Sequence, residues 1–370
     1  MSDLSKRSRR NRGLMSFASS IIAILIGLLF GFIILLVSHP DQAVDGFVTI
    51  LRGGFFGGAS SIGQMINIAV PIIMTGLSVG FAYRTGLFNI GTPGQFTTGA
   101  FAAIYIGSKW TFLPAPIHWV VAVLGAMLVG AVWGSIPGFL KAYRNVNEVI
   151  SAIMLNYIGM YLVNMLVVET VYDQLRNQSR PVKAAAKIPT LGLAEAFKGS
   201  YLNMSILICI VFVIIVYIIV SKTTFGYELR AVGLNPFASR YAGINSKRSI
   251  VVSMVISGAL AGIGGGLMYL GQTGVFLQVV DVLAPQGFNG IPVALLGLNN
   301  PIGIFFSGLF VASLTVGGYN LQLFEFTPEV IDMIIAVIIY CSAFTLLFKN
   351  LMEQLLAKRK AAAVKEEEER

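Results

Sequence analysis
Apolar runs of membrane-crossing length alternate along this chain with stretches marked by charge, proline and glycine. A helix needs about 20 mostly apolar residues to cross a hydrocarbon core, and by that measure about ten spans are predicted. They lie near residues 17–37, 62–83, 94–107, 118–140, 149–168, 203–220, 250–270, 287–298, 302–320 and 330–348. The third, eighth and ninth are short or rich in glycine and proline. They are expected to be broken, tilted or re-entrant, which is tolerated only where protein or a watery cavity pairs the freed backbone groups. The pattern predicts an all-α polytopic membrane protein: a basic N-terminus over 1–16, a transmembrane domain over 17–348 and a charged tail over 349–370.

Composition agrees, with 56% hydrophobic and 12% charged residues, 40 glycines and 13 prolines. The first apolar run follows Lys6, Arg7, Arg9, Arg10 and Arg12. It exceeds the roughly 7–15 residues of a signal-peptide core. It ends in Ser38-His39-Pro40-Asp41 with no small-x-small cleavage site, so it reads as an uncleaved anchor. The net charge of +9 sits between the apolar runs, which assigns it to membrane orientation and argues against a nucleic-acid partner. With the N-terminus inside, the outer face carries only Arg52, Lys109, Arg176, Arg180, Lys183, Lys187 and Lys198 of the 26 Lys and Arg. The excess of positive charge stays in the cytoplasm. Both termini are therefore expected to be cytoplasmic in a multi-pass protein of the cell membrane, with an external loop over 169–202 and a cytoplasmic loop over 221–249. The external loop is long enough to cover the outer mouth of a pathway, and equally reads as a passive connection.

No phosphate loop is present: Gly86-Leu87-Phe88-Asn89-Ile90-Gly91-Thr92 lacks the lysine that reaches the β and γ phosphates. His39 and His118 stand alone, and no serine sits in a nucleophile elbow, which argues against a hydrolase or a metal site. Cys209 and Cys341 lie inside apolar runs and read as packing residues. Pumps and proton-coupled carriers place several ionisable groups in the membrane. Here Glu148 and Asp332 sit near span ends. The polarity within the spans is neutral: Asn67, Asn89, Asn156, Asn164, Gln272, Asn289 and Asn320. A pathway so lined suits an uncharged, hydrogen-bonding solute, although any one amide reads better as helix–helix glue. Small-x-x-x-small spacings at Gly27/Gly31, Gly76/Gly80, Gly130/Gly134 and Gly258/Gly262/Gly266 predict close helix packing.

The loop over 221–249 holds a local signal. Asn235-Pro236 has the form of a helix N-cap with proline at the first position, and Gly243 that of a C-terminal cap. Between them fits a helix of about two turns with Ala238 and Ala242 on one face. Such an element fits a groove of a cytoplasmic partner or serves as an amphipathic connector.

Several blocks in order resemble one family. They are Phe81-Ala82-Tyr83-Arg84-Thr85-Gly86-Leu87-Phe88-Asn89-Ile90-Gly91 with Gly94-Gln95; Asn147-Glu148-Val149-Ile150 with Ile153-Met154-Leu155-Asn156-Tyr157; Gly226 to Ile244; Ser257 to Gly262; and Gly287 to Gly297. Together they are similar to permease subunits of ATP-binding-cassette (ABC) importers, in the superfamily that includes ribose, galactose and branched-chain amino acid permeases. Within it, the match is closer to the branch associated with nucleoside uptake through lipoprotein receptors. Thr92-Pro93 departs from the small or acidic residues of that pattern.

The resemblance implies a second homologous permease subunit in a heterodimer, a tandem-domain ATPase on the cytoplasmic face, an external solute-binding lipoprotein and surrounding membrane lipid. It implies no cofactor in this chain, with ATP and Mg in the ATPase. It also makes the 221–249 loop the coupling segment, with Glu228, Arg230, Gly233, Asn235, Pro236, Ala238, Arg240, Ala242 and Gly243 as contacts. Phe88, Asn89, Asn156 and Asn289 are candidate pathway residues, being amides or an aromatic beside glycine able to bond or stack with a base. The rivals are the same machine carrying a sugar or a branched-chain amino acid, and an ion-coupled carrier. The last should show membrane carboxylates and internal repetition.

Overall fold
The computed structural model describes residues 3–271, 275–344, 347–352 and 354; Gln272 and the charged run from Lys365 to Arg370 lie outside them. The helices are α1 (Asp3–Ser38), α2 (Ala43–Arg52), α3 (Ala59–Tyr83), α4 (Thr92–Lys109), α5 (Ala115–Arg144), α6 (Glu148–Thr170), α7 (Leu193–Ala196), α8 (Ser205–Lys222), α9 (Thr224–Leu234), α10 (Pro236–Tyr241), α11 (Ser246–Gly271), α12 (Pro285–Leu296), α13 (Pro301–Asn320) and α14 (Pro328–Ala343). Two short strands, β1 (Tyr172–Asp173) and β2 (Gln178–Ser179), pair antiparallel. Each predicted apolar run coincides with a helix or the larger part of one. Among the described residues, seven helices are long and apolar enough to cross a membrane: parts or all of α1, α3, α5, α6, α8, α11 and α13. Of the remaining runs, α4 has 18 residues, α12 has 12 and the described α14 has 16. The chain is a polytopic helical membrane protein.

Two compact units form: the described residues of Met1–Leu51 with Gly317–Arg370, and Arg52–Val316. In the first, α1 packs on α14; a side chain at Gly27 would meet the Ile338 Cα at 2.9 Å. Phe32 stacks at a tilt on Phe47, and His39 meets Phe326 edge-on.

In the second unit α3 is the enclosed element, buried at every position from Ala69 to Ala82. A helix apolar on all sides belongs inside a bundle. Around it lie α4, α11 and α12, while α5 packs against α4 and α11. The α5–α11 seam is built of the predicted glycines. A Cβ at Gly134 would fall 2.6 Å from the Met254 carbonyl oxygen and 2.9 Å from the Gly258 Cα, and one at Gly130 would lie 2.8 Å from the Gly262 Cα. Backbone thus meets backbone with nothing between, the approach that small residues permit in membranes. On the outside, α6 and α8 expose Ile150, Met154, Tyr161, Val211, Ile214 and Ile218. Apolar surface of this kind belongs against lipid or another membrane subunit.

The connection over 169–202 is an ordered cap. Its hairpin is fastened by Ser179 N to Leu277 O (2.7 Å) and Val279 N to Asn177 O (3.2 Å). Further along, Lys183 N donates to Gly107 O (3.1 Å) and Ile188 N to Leu270 O (3.1 Å), tying the segment to the ends of α4 and α11. Its charged and proline residues hid these backbone bonds from the sequence pattern.

Overpacking a closed seam costs about 1–3 kcal/mol and occasionally more. Gly258→Leu is expected to destabilise the detergent-solubilised protein by that order, read as a lower thermal denaturation midpoint. Leu128→Ala, at an exposed α5 position, should stay within about 0.5 kcal/mol of wild type.

Candidate functional site
The segment over 221–249 folds as two helices, where sequence predicted one. In α9, the Thr223 hydroxyl caps the first turn by accepting from Gly226 N (3.1 Å), and Leu229 and Val232 are fully buried beneath it. The missed signal was the spacing of Phe225, Leu229 and Val232, an apolar stripe of helical period. Next, Asn235 Oδ1 accepts from Phe237 N (2.9 Å) and Ala238 N (3.0 Å), and Pro236 opens α10. Gly243 closes it at φ +79°, in the left-handed region that glycine favours. The helix ends at Tyr241, so Ala242 is its C-cap and lies just beyond the predicted two-alanine face. The element is held from below: Ser239 is buried, and the Arg240 Nε donates to Ser246 Oγ (3.0 Å) at the start of α11.

What this platform presents is apolar. Leu234, Phe237 and Tyr241 are 89%, 73% and 96% exposed, with Phe237 and Tyr241 one turn apart. Ala238 is exposed beside them and Glu228 is half-exposed. The Arg230 Nε donates to Gly226 O (3.2 Å). Large exposed side chains at the end of a rigid, capped helix are the form of an anchor for a partner groove.

Beneath α9 the backbone of Gly233 rests on the turn that ends α3. A methyl group at Gly233 would collide with Arg84 O and lie 3.0 Å from Gly86 N; Gly86 itself has φ +72°. The Arg84 Nη2 donates to Asn299 O (2.6 Å), holding the turn after α12, where Leu298 and Asn299 both have positive φ. Burial, and secondarily the charge of Arg230, pull the Arg84 pKa below the ordinary arginine value. Its Nε and the Asn299 Oδ1 are buried without hydrogen-bond partners.

From that turn the chain enters an amide cluster. Asn89 is fully buried. Its Nδ2 donates to Ser257 Oγ (2.7 Å) and Gln95 Oε1 (2.8 Å), and its Oδ1 accepts from Gly91 N (3.1 Å). Asn156, on α6, accepts from Gly94 N (2.9 Å) and donates to Ile90 O (2.9 Å). Both amides are thus occupied in pairing the unwound stretch between α3 and α4. Phe88 is partly exposed beside them, and Asn289, on α12, is partly exposed with no side-chain hydrogen bond to a described residue. Asn67 is buried on α3 with its Nδ2 unpaired.

Residues 61–343 match the family model described as the branched-chain amino acid transport system / permease component. The chain is similar to the guanosine ABC transporter permease protein NupP of Bacillus subtilis, 38% identical over 91% of this chain and 96% of that protein. It is 36% identical to the nucleoside ABC transporter permease protein NupB of Lactococcus lactis, covering 94% of each. The glucose ABC transporter permease protein TsgB13 of Haloferax volcanii is 30% identical, over 89% of this chain and 88% of its own. Both bacteria also hold a second matching permease of the same printed description, 29% and 27% identical over 75% and 70% of this chain.

A buried polar group left without its partner costs about 1–3 kcal/mol. Asn89→Ala strands the Gln95 side chain and the Gly91 amide, while Ser257 keeps its bonds to Ser78, so it is expected to lower the denaturation midpoint of the purified protein clearly. Asn289→Ala, which breaks no side-chain hydrogen bond to a described residue, should leave that midpoint unchanged.

Proposed function
This chain belongs to the branched-chain amino acid transport system permease-component family, and from that premise we propose that it forms the translocation pathway for a nucleoside in an ATP-driven importer. It is a transport subunit of the ABC type and not itself an enzyme. The observation that carries the solute is the 38% identity to a guanosine permease across 91% of this chain. Neutral amides in place of buried charge suit the same class of solute.

In this reading the protein crosses the cell membrane about ten times with both termini cytoplasmic. It pairs with a second permease; the two matching permeases in each related bacterium support a heterodimer. A lipoprotein delivers the nucleoside from outside. A tandem-domain ATPase below binds and hydrolyses Mg-ATP, and its closure and opening drive alternating access. Glu228, Arg230, Gly233, Asn235, Pro236, Ala238, Arg240, Ala242 and Gly243 belong to the segment that meets the ATPase, with Leu234, Phe237 and Tyr241 as its apolar anchors. Phe88 and Asn289 present free surface to the solute, with Asn89 and Asn156 fixing the backbone behind them.

Uptake of a labelled nucleoside by cells holding the complete importer should be blocked by excess unlabelled nucleoside and barely affected by the corresponding nucleotide or by glucose. Equal or better competition by either would overturn the solute assignment. Losing a buried large apolar side chain costs about 1.5–3 kcal/mol, roughly tenfold or more in affinity. Phe237→Ala removes such a side chain and Ala238→Trp holds the two surfaces apart with a bulky one, so both should reach the membrane in normal amount yet lose co-purification with the ATPase and uptake together. Wild-type levels of both would reduce the segment to a connector.

A further inference from the structure
We propose that the Arg84–Gly86 turn is the mechanical link between the 221–249 segment and the buried amide cluster, with Gly233, Gly86 and Thr85 as positioning residues. The inference rests on the reading of that segment as the ATPase contact. Its first support is the bare approach of Gly233 to Arg84 and Gly86, backbone on backbone. No side chain lies between them to absorb a displacement by changing rotamer, so a shift of α9 is passed to the turn.

The second support is where the turn leads. The Thr85 hydroxyl donates to Ala82 O (2.7 Å) and pairs with the Ser253 hydroxyl (3.0 Å), joining the end of α3 to α11, while Arg84 reaches the turn after α12. A few residues on, Asn89 bonds Ser257 of α11 and Gln95 of α4, and Asn156 of α6 holds Ile90 and Gly94. Displacing one turn therefore loads α3, α4, α6, α11 and α12 through hydrogen bonds rather than through loose contacts.

The third support is unused bonding capacity at the same place. The Arg84 Nε and the Asn299 Oδ1 are buried and unpaired, although Arg84 already bonds the Asn299 backbone. A second position of the turn that joins these two atoms gains a hydrogen bond, which gives the turn two arrangements for the ATPase to select between.

The test uses the assembled importer and hydrogen–deuterium exchange, a readout that needs no knowledge of the solute. Trapping the ATPase with ATP and vanadate should change exchange in peptides covering both 224–241 and 84–95 of the wild type. In Gly233→Ala the change should stay within 224–241. With the ATPase still co-purifying, uptake per ATP hydrolysed should fall while ATP turnover continues. Thr85→Val, which keeps the shape and removes the hydroxyl, should weaken the response of 84–95, and Thr85→Ser should restore it. The proposal is overturned if trapping leaves 84–95 of the wild type unchanged, or changes it equally in every variant. Should Gly233→Ala fail to accumulate, the wild type and the Thr85 pair still decide. A wild-type importer that ignores nucleosides would overturn only the solute, because the exchange response is read without it. One that does not hold its ATPase would overturn the contact reading and this inference together.

Discussion
The constraint on which the rest depends is that a backbone amide within a bilayer has no water to turn to. An unpaired group there costs several kcal/mol. The chain meets this with helices almost throughout, and where it unwinds between α3 and α4 it sends in side-chain amides. Asn89 and Asn156 pair the backbone of Ile90, Gly91 and Gly94 from inside. The discontinuity survives because the amides stand where water would otherwise be required. The same amides tie α4 to α6 and α11, so the point where the helix is broken is also where the bundle is cross-braced.

The apolar runs made the helices legible, because length and hydrophobicity alone specify a span. Asn235-Pro236 was legible as a cap because its chemistry is local: one side-chain oxygen, two nearby amides and a proline with no hydrogen to lose. The roles of Asn89 and Asn156 were not, since their partners lie on other helices and one sequence carries no record of which face meets which. Resemblance and residue type offered them as solute contacts; the geometry shows Asn89 bonded to Gln95, Ser257 and the Gly91 amide, and Asn156 holding Ile90 and Gly94 with one donor and one acceptor position still open. Leu234, Phe237 and Tyr241 were overlooked for the opposite reason. Large apolar residues in an apolar chain draw no notice until the fold leaves them exposed on a short helix.

Glycine does different work at two places in the second unit. At Gly233 and Gly86 it removes side chains from an approach between α9 and the turn that closes α3, making a stiff contact out of two flexible residues. At Gly258 and Gly262 it lets α11 lie on α5 as closely as the backbones permit. Gly86 lies within the unwound stretch between α3 and α4, so the stiff contact from α9 falls on the same stretch that bears Phe88.

The α5–α11 seam also differs from an ordinary core in what its formation freezes. Where Leu or Met side chains interdigitate, each surrenders rotamer freedom, up to about 2 kcal/mol for the longest. Glycine has none to surrender, and its backbone is already fixed by the helix. Where Gly130 and Gly134 meet Gly258 and Gly262 the two helices therefore associate with no entropic charge on side chains, held by weak Cα–H···O contacts and dispersion. A seam of this kind stays closed through close fit alone and does not loosen by rotamer exchange as the temperature rises.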